Sequence, residues 1–303
     1  MVKIAFFNWW SNGKDDFFRH FLENYMNIET EIDEINPEII FFSVFSKDYS
    51  KMKKCNKENV KLRIFFTGED TTSRKSRGHG SDHYFLNNAD ICLGFKYLNN
   101  DNYLRFPLWL TYINVAPWNM GKKCLPFDNA IHFKSNKASK CTCIVSNHDS
   151  NHTRLQMVNE LHEKDLIHCS GGLCKKNYKR IGSGKDEKGK QDCLHQFNFN
   201  ISSESSISPG YISEKIFECI IGGCIPIYYC KEDTLIEPTI LNNDFIIKYT
   251  NENVTKVSEK IEMLHKNPEK IDKFIEKGPL VENAHQEIIR IYDELKNKIL
   301  QYI

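Results

Sequence analysis

The sequence predicts an α/β protein built from two doubly wound, Rossmann-like domains that face each other across a cleft. Short apolar runs alternate with amphipathic segments along the chain, which is typical of parallel sheets covered by helices. The alternation begins again after a stretch near 117–140 that contains proline and lysine, and 303 residues are enough for two ordinary domains. We therefore predict domains at 1–140 and 141–303, with ligands in the cleft beyond the carboxyl ends of the strands.

The first domain is predicted to contain four strands and a helix. The helix covers 15–27, where Phe18, Phe21, Leu22 and Tyr25 recur at helical spacing. Apolar runs place the strands at 2–8, 38–44, 61–67 and 90–95.

The second domain repeats the pattern. Its predicted strands are 143–146, 166–168, 197–201, 225–229 and 245–249. Its predicted helices are 153–164, 211–222, 253–266, 268–277 and 283–302. Residues 179–192 are rich in Lys, Gly and Asp, which favours an exposed loop. We expect the final helix to pack back on the first domain.

Charge and composition limit the partners. With 41 basic and 40 acidic residues the net charge is +1, so no nucleic-acid partner is expected and any phosphate-binding patch must be local. No signal peptide and no apolar run of about 18 residues is present, so we expect a soluble protein without an integral membrane segment. The expected compartment is the cytoplasm, or the Golgi lumen if an N-terminal anchor has been removed. Oligomeric state stays open.

Several site classes lack their sequence signatures. The eleven cysteines are irregularly spaced, and no second ligand pair stands at zinc-site spacing, so neither a disulfide framework nor a metal centre is predicted. A dinucleotide fingerprint, a P-loop and a hydrolase nucleophile elbow are absent. The missing Asp-x-Asp weighs against a transferase that holds its nucleotide through a metal ion.

The most informative segment follows the strand at 197–201. It contains Glu204 and then Tyr211-Ile212-Ser213-Glu214-Lys215. Together with the preceding strand, this pattern predicts a strand, then a tight turn, then the start of a helix. Exposed N–H groups and Lys215 could cradle a pyrophosphate, while Glu214 could accept both ribose hydroxyls. If the first helical turn includes Tyr211, then Tyr211 and Lys215 share one face. The alternative is an amphipathic helix with solvated Glu214 and Lys215.

This segment, together with Gly223-Cys224-Ile225-Pro226-Ile227, resembles the signature of the α-1,3/4-fucosyltransferase family. Other matches occur in order along nearly the whole chain. They are Asn8-Trp9-Trp10, Phe66-Thr67-Gly68-Glu69, Asp90–Phe95, Tyr103–Leu108, and Val145-Ser146-Asn147 with Arg154.

The resemblance implies an inverting transferase of the GT-B fold that binds GDP-fucose in its second domain and the acceptor sugar in its first. It implies transfer to a hydroxyl such as O3 of GlcNAc in an N-acetyllactosamine-type or other glycan, with no required cofactor and a metal ion at most stimulatory. Glu69 is then the general base. Glu214 holds the ribose, Lys215 the pyrophosphate, and Tyr211 lines the donor pocket. The remaining donor-side residues are Glu204, Ser205, Ser213, Asn147, Arg154 and Lys175, and the acceptor-side residues are Trp9 and Trp10.

Three departures from the family pattern qualify this expectation. Ser205 stands where Asn is usual, Cys230 where Gly is usual, and Lys175 or Lys176 where a phosphate-binding Arg is usual. Lys keeps the positive charge but loses the bidentate fork of Arg. Two alternatives therefore stay open: a related transferase with another donor or acceptor, and a nucleotide- or carbohydrate-binding module without turnover.

Overall fold

The structure is a computed structural model, and it describes residues 1–9, 16–45, 57–70, 86–112, 133, 137–145, 154–171 and 187–303. The chain forms two compact units. The first comprises Met1–Cys124, Ser208–Tyr211 and Gln286–Ile303, and the second comprises Leu125–Ile207 and Ile212–His285. No helix within the described ranges is both long enough and apolar enough to span a bilayer.

The first unit contains a six-stranded sheet in the order β2-β1-β3-β4-β5-β6. Every neighbouring pair in it is parallel. The strands are β1 (Val2–Phe7), β2 (Thr30–Ile32), β3 (Ile39–Phe42), β4 (Leu62–Phe66), β5 (Ile91–Gly94) and β6 (Tyr103–Arg105). All four residues of β3 and of β5 are buried, as expected for central strands covered on both faces.

Aromatic side chains form much of the core of the first unit. Helix α1 (Asp16–His20) continues into a π-helical turn at Phe21–Tyr25, and a short helix α2 covers Trp109–Tyr112. The rings of Phe18 and Phe41 lie 5.1 Å apart, and those of Phe18 and Phe66 lie 5.3 Å apart. Such ring pairs add to the free energy gained by burying apolar area.

The final helix packs on the first unit, as predicted. This helix, α8, spans Ala284–Ile299. The hydroxyl of its fully buried Tyr292 donates to the carbonyl of Leu110 at 2.8 Å, and the Tyr292 ring lies 5.8 Å from that of Phe106. The first compact unit is therefore not one continuous stretch of chain, because most of α8, from Gln286 onward, belongs to it.

The second unit contains a five-stranded parallel sheet in the order β11-β10-β9-β7-β8. Its strands are β7 (Ala138–Val145), β8 (Ile167–Gly171), β9 (Phe197–Ile201), β10 (Ile225–Tyr229) and β11 (Ile247–Tyr249). Its helices are α3 (Leu155–Glu163), α4 (Glu187–Leu194), α5 (Lys215–Ile221), α6 (Val254–His265) and α7 (Pro268–Ile275). Two parallel-sheet α/β units agree with the predicted fold class.

Two predictions of local structure were wrong. Residues 187–192 are helical, within α4, rather than an exposed loop, because Cys193 and Leu194 anchor this polar helix in an apolar cluster with Phe197 and Cys219. Helix α5 begins at Lys215 rather than near Tyr211. The remainder of the predicted loop, 179–186, lies outside the described residues.

Candidate active site

A buried carboxylate organises the start of α5 in the second unit. Glu204, which is 5% exposed, accepts a hydrogen bond from the backbone N–H of Ser213 at 2.7 Å and another from the Ser213 hydroxyl at 2.7 Å. The ammonium of Lys215 donates to Glu204 at 3.1 Å and to the Ser213 hydroxyl oxygen at 2.7 Å. The Ser213 hydroxyl thus joins a buried carboxylate to a lysine, and Lys215 is held at a defined position.

Glu214 lies beside this network. Its carboxylate is 3.6 Å from the ammonium of Lys215. Burial on its own would raise the pKa of Glu214, but the positive charges of Lys215 and Lys190 outweigh burial and hold that pKa below its ordinary value. Glu214 is therefore ionised at neutral pH and can accept hydrogen bonds from two vicinal hydroxyls.

Local sequence explains why these groups meet. The central strand β9 ends at Ile201, and Ser203 then fixes the chain, because its hydroxyl oxygen accepts the N–H of Tyr229 at 2.9 Å. Glu204 follows directly and turns back toward Ser213, nine residues later. The carboxyl edge of a parallel sheet is the usual place for ligands in this fold class.

Tyr211 lies in a different setting from the one predicted. Because α5 begins at Lys215, Tyr211 and Lys215 do not share a helical face. Tyr211 is buried in the first unit, where its ring packs edge-on against Phe95 at 5.0 Å. The interpretation of Tyr211 as a donor-pocket residue stays a prediction.

The segment Ser208–Tyr211 is bonded to the first unit at several points. The Ser208 hydroxyl donates to the buried carboxylate of Asp70 at 2.6 Å. The guanidinium of Arg105 donates to the carbonyl of Gly210 at 3.3 Å. Gly210 has φ +79°, and a Cβ there would lie 2.6 Å from the carbonyl oxygen of Phe95, so both the conformation and the space require glycine.

Glu69 follows β4 at the carboxyl edge of the first sheet. The hydroxyl oxygen of Thr67 accepts its N–H at 3.1 Å, which closes a tight turn. Any side chain at Gly68 would lie 2.4 Å from a methyl group of Leu108, so the turn packs closely on the residues after β6. Glu69 is half-buried, which suits a carboxylate that must reach a substrate hydroxyl.

The other predicted site residues fall into two groups. Trp9 is 8% exposed and packs in the aromatic core, 5.2 Å from Phe6 and 6.1 Å from Phe66, so its ring stabilises the first unit and presents little surface to a sugar. Arg154 is buried where α3 begins, and Ser205 is half-buried beside Glu204. Trp10, Asn147, Lys175 and Lys176 lie outside the described residues.

Sequence reasoning missed three charged residues. Asp70 and Glu218 are 3% and 6% exposed, and Glu218 contacts Lys190 of α4. The position of Asp70 beside Glu69 and the i,i+4 spacing of Glu214 and Glu218 were available signals. Lys190 gives no such signal, because its segment, rich in Lys, Gly and Asp, indicates a loop.

Two family models match the chain. One is described as "Glycosyltransferase family 10 (fucosyltransferase) C-term" and matches residues 134–278. The other is described as "Alpha-(1,3)-fucosyltransferase FucT N-terminal domain" and matches residues 4–112. The first match contains the network around Glu204, and the second contains Glu69.

Comparison with individual proteins also finds fucosyltransferases among those that the chain resembles. An α-(1,3)-fucosyltransferase of Helicobacter pylori is 22% identical over 256 residues, which are 75% of this chain and 50% of that protein, so the chain spans about half the length of that relative. A crystal structure of an α1,3-fucosyltransferase matches with a TM-score of 0.63 and 19% identity, over 96% of this chain and 89% of that one. A structure of an α1,3-fucosyltransferase with GDP-fucose matches with a TM-score of 0.62 and 18% identity, over 97% of this chain and 89% of that one. These structures establish the fold.

Proposed function

Because the chain belongs to glycosyltransferase family 10, the fucosyltransferase family, we propose that it is an inverting enzyme that moves L-fucose from GDP-fucose to a hydroxyl of a glycan. The observation that carries the proposal is the placement of Lys215 and Glu214 side by side, with Lys215 anchored by Glu204 and Ser213. That pair offers a cation for a diphosphate and a carboxylate for a ribose.

On the donor side, Lys215 binds the diphosphate of GDP-fucose and Glu214 binds the guanosine ribose. An ammonium acts on a phosphate as a point charge. Because Glu204 and Ser213 already fix Lys215 before the nucleotide binds, little reorganisation is needed when negative charge develops on the departing GDP. Lys215 therefore contributes to the rate as well as to binding.

On the acceptor side, Glu69 is the general base. Inversion requires a carboxylate that takes the proton of the acceptor hydroxyl while its oxygen attacks the anomeric carbon of fucose. The bond from that carbon to the diphosphate oxygen breaks, and GDP leaves with the bonding electrons. The turn closed by Thr67 holds the backbone of Glu69 at the sheet edge for this step.

The acceptor is proposed to be an N-acetyllactosamine-type or other glycan, with O3 of GlcNAc as the attacking oxygen. No cofactor is proposed beyond the donor substrate. The reason lies in the sequence, which has no Asp-x-Asp for a metal-bound nucleotide and has lysines in the segments predicted to bind phosphate. A divalent ion is expected at most to stimulate the reaction.

The test measures GDP release from GDP-fucose with and without N-acetyllactosamine, for the wild type, Glu69→Gln and Glu29→Gln. Glu29 is an exposed carboxylate of the same unit and serves as the matched control. We expect acceptor-dependent release that falls by about 10²–10⁴-fold in Glu69→Gln and is unchanged in Glu29→Gln.

Two outcomes favour other functions. Binding of GDP without turnover on any glycan of a broad panel would indicate a binding module. Turnover with another sugar nucleotide in preference to GDP-fucose would indicate a related transferase, as the departures at Ser205, Lys175 and Cys230 allow. Acceptor-dependent release that survives Glu69→Gln would refute the role given to Glu69.

A further inference from the structure

Helix α4 places a second lysine on the charged face of α5. Lys190 of α4 contacts the carboxylate of Glu218, and the two side chains are 21% and 8% exposed. The neighbouring Gln191 donates its side-chain N–H to the carbonyl of Glu218 at 3.5 Å. Two successive residues of α4 thus hold the same residue of α5, so the position of Lys190 is fixed by more than one contact.

Glu218 lies one helical turn after Glu214. The N–H of Glu218 donates to the carbonyl of Glu214 at 2.8 Å, so both side chains project from the same face of the helix. Two carboxylates at this spacing repel each other, and the repulsion is stronger where water is excluded. Lys215 interacts with Glu214 but is also bonded to Glu204 and Ser213. Within the described part of the chain, the cation in direct contact with Glu218 is Lys190.

We infer that Lys190 is a positioning residue for the nucleotide: by holding Glu218, it keeps that second carboxylate paired, so that Glu214 keeps its place beside Lys215 and can accept the two ribose hydroxyls. The inference rests on the proposed function, which gives Glu214 the ribose of GDP. Lys190 itself acts through α5 and is assigned no contact with the nucleotide.

The charges around Glu214 support this role. Among the residues that the structure describes, the charged groups that act on Glu214 from the packed elements are Lys215 and Glu218 of α5, Lys190 of α4, and Glu204, which is paired with Lys215. Burial raises the pKa of Glu218 above its ordinary value even with Lys190 in contact. Removing Lys190 leaves Glu218 without the lysine that contacts it, so an ionised Glu218 repels Glu214 and competes with it for Lys215, and Glu214 is displaced from the position in which it accepts the ribose hydroxyls.

The experiment measures the affinity for GDP by calorimetry at about pH 5, near the ordinary pKa range of a glutamate, and at about pH 8, well above it. The variants are Lys190→Met, which keeps most of the alkyl stem, Lys190→Arg, and the double variant Lys190→Met with Glu218→Gln. The matched control is Lys164→Met, because Lys164 pairs with Glu262 at 3.5 Å in the same unit with a comparably exposed side chain.

We expect Lys190→Met to weaken GDP binding roughly tenfold relative to the wild type at about pH 8 and much less at about pH 5, because Glu218, whose pKa burial already raises, takes up a proton as the pH falls and the repulsion disappears. Glu218→Gln in the same chain should restore affinity, since it removes the competing carboxylate. Lys190→Arg and Lys164→Met should bind GDP like the wild type. If Lys190→Met does not fold, the double variant, which lacks the repulsion, carries the test and must bind GDP at both pH values.

Three results would overturn the inference while leaving the proposed function intact. They are wild-type affinity in Lys190→Met, equal weakening at both pH values, and a loss that Glu218→Gln does not restore. A wild-type protein that binds no GDP would instead refute the proposed function and the inference with it.

Discussion

Glu204→Gln removes a buried negative charge while keeping the size of the side chain, so its effect reports the charge and the hydrogen bonds of Glu204 and not its packing. One oxygen accepts the N–H of Ser213, and the other accepts both the Ser213 hydroxyl and the Lys215 ammonium. An amide has one acceptor oxygen. Its nitrogen is a donor, and it would face the lysine or the serine with the wrong polarity.

The free-energy cost follows from the bonds lost. A hydrogen bond to a charged group contributes about 1.5–3 kcal/mol, and a buried partner left without its acceptor adds to this loss. Lys215 keeps Glu214 at 3.6 Å, which limits the damage. We expect the second unit to lose about 2–3 kcal/mol of unfolding free energy, which corresponds to a midpoint roughly 4–12 °C lower for a unit of this size.

Thermal unfolding monitored by circular dichroism is the assay, with Glu262→Gln as the control. Glu262 makes a comparable pair with Lys266 at 2.6 Å, but its side chain is 30% exposed. Solvent screening leaves such an exposed pair only a small contribution to stability. A midpoint for Glu204→Gln equal to that of Glu262→Gln would refute the argument that burial makes the Glu204 network matter.

Three further outcomes are expected. Gly210→Ala should destabilise the protein by about 2–3 kcal/mol in urea unfolding, against about 1 kcal/mol for Gly278→Ala, because both glycines have positive φ but a Cβ added to Gly278 would meet open space; equal losses would contradict the steric argument. Tyr292→Phe should cost about 1–2 kcal/mol, since the carbonyl of Leu110 loses its buried donor; an unchanged unfolding curve would contradict it. Burial raises the pKa of Cys230 to about 11, so less of its thiol is ionised at about pH 8. Its alkylation at that pH, followed by peptide mass spectrometry, should be about a hundredfold slower in the native than in the unfolded protein; equal rates would contradict a raised pKa.

The parallel-sheet architecture was predictable because burial on both faces of a strand leaves a continuous apolar run. Ile39–Phe42 and Ile225–Tyr229 are such runs, and each became a strand within a residue or two of the prediction. The short strands β2 and β6 were missed, because three residues at the edge of a sheet are too few to show a pattern.

The candidate donor site was predictable in part. Glu204, Ser213, Glu214 and Lys215 are close in the sequence, and the structure brings them into one hydrogen-bond network. The start of α5 was not predictable to a residue, because helix boundaries are set by local bonds that compete closely. Because α5 begins one turn later than predicted, Tyr211 and Lys215 do not lie on the same helical face.

The sequence by itself determined the longer buried strands and most of the amphipathic helices, and it brought Glu214 and Lys215 together, because both depend on neighbouring residues and on burial patterns of short period. Only the tertiary structure decided the partners that are distant along the chain. Ser208 meets Asp70 across 138 residues, and Tyr292 meets Leu110 across 182. Packing of whole elements makes such contacts, and no local periodicity encodes them. For the same reason, it is the packing of α4 against α5 that places Lys190 on the charged face of α5.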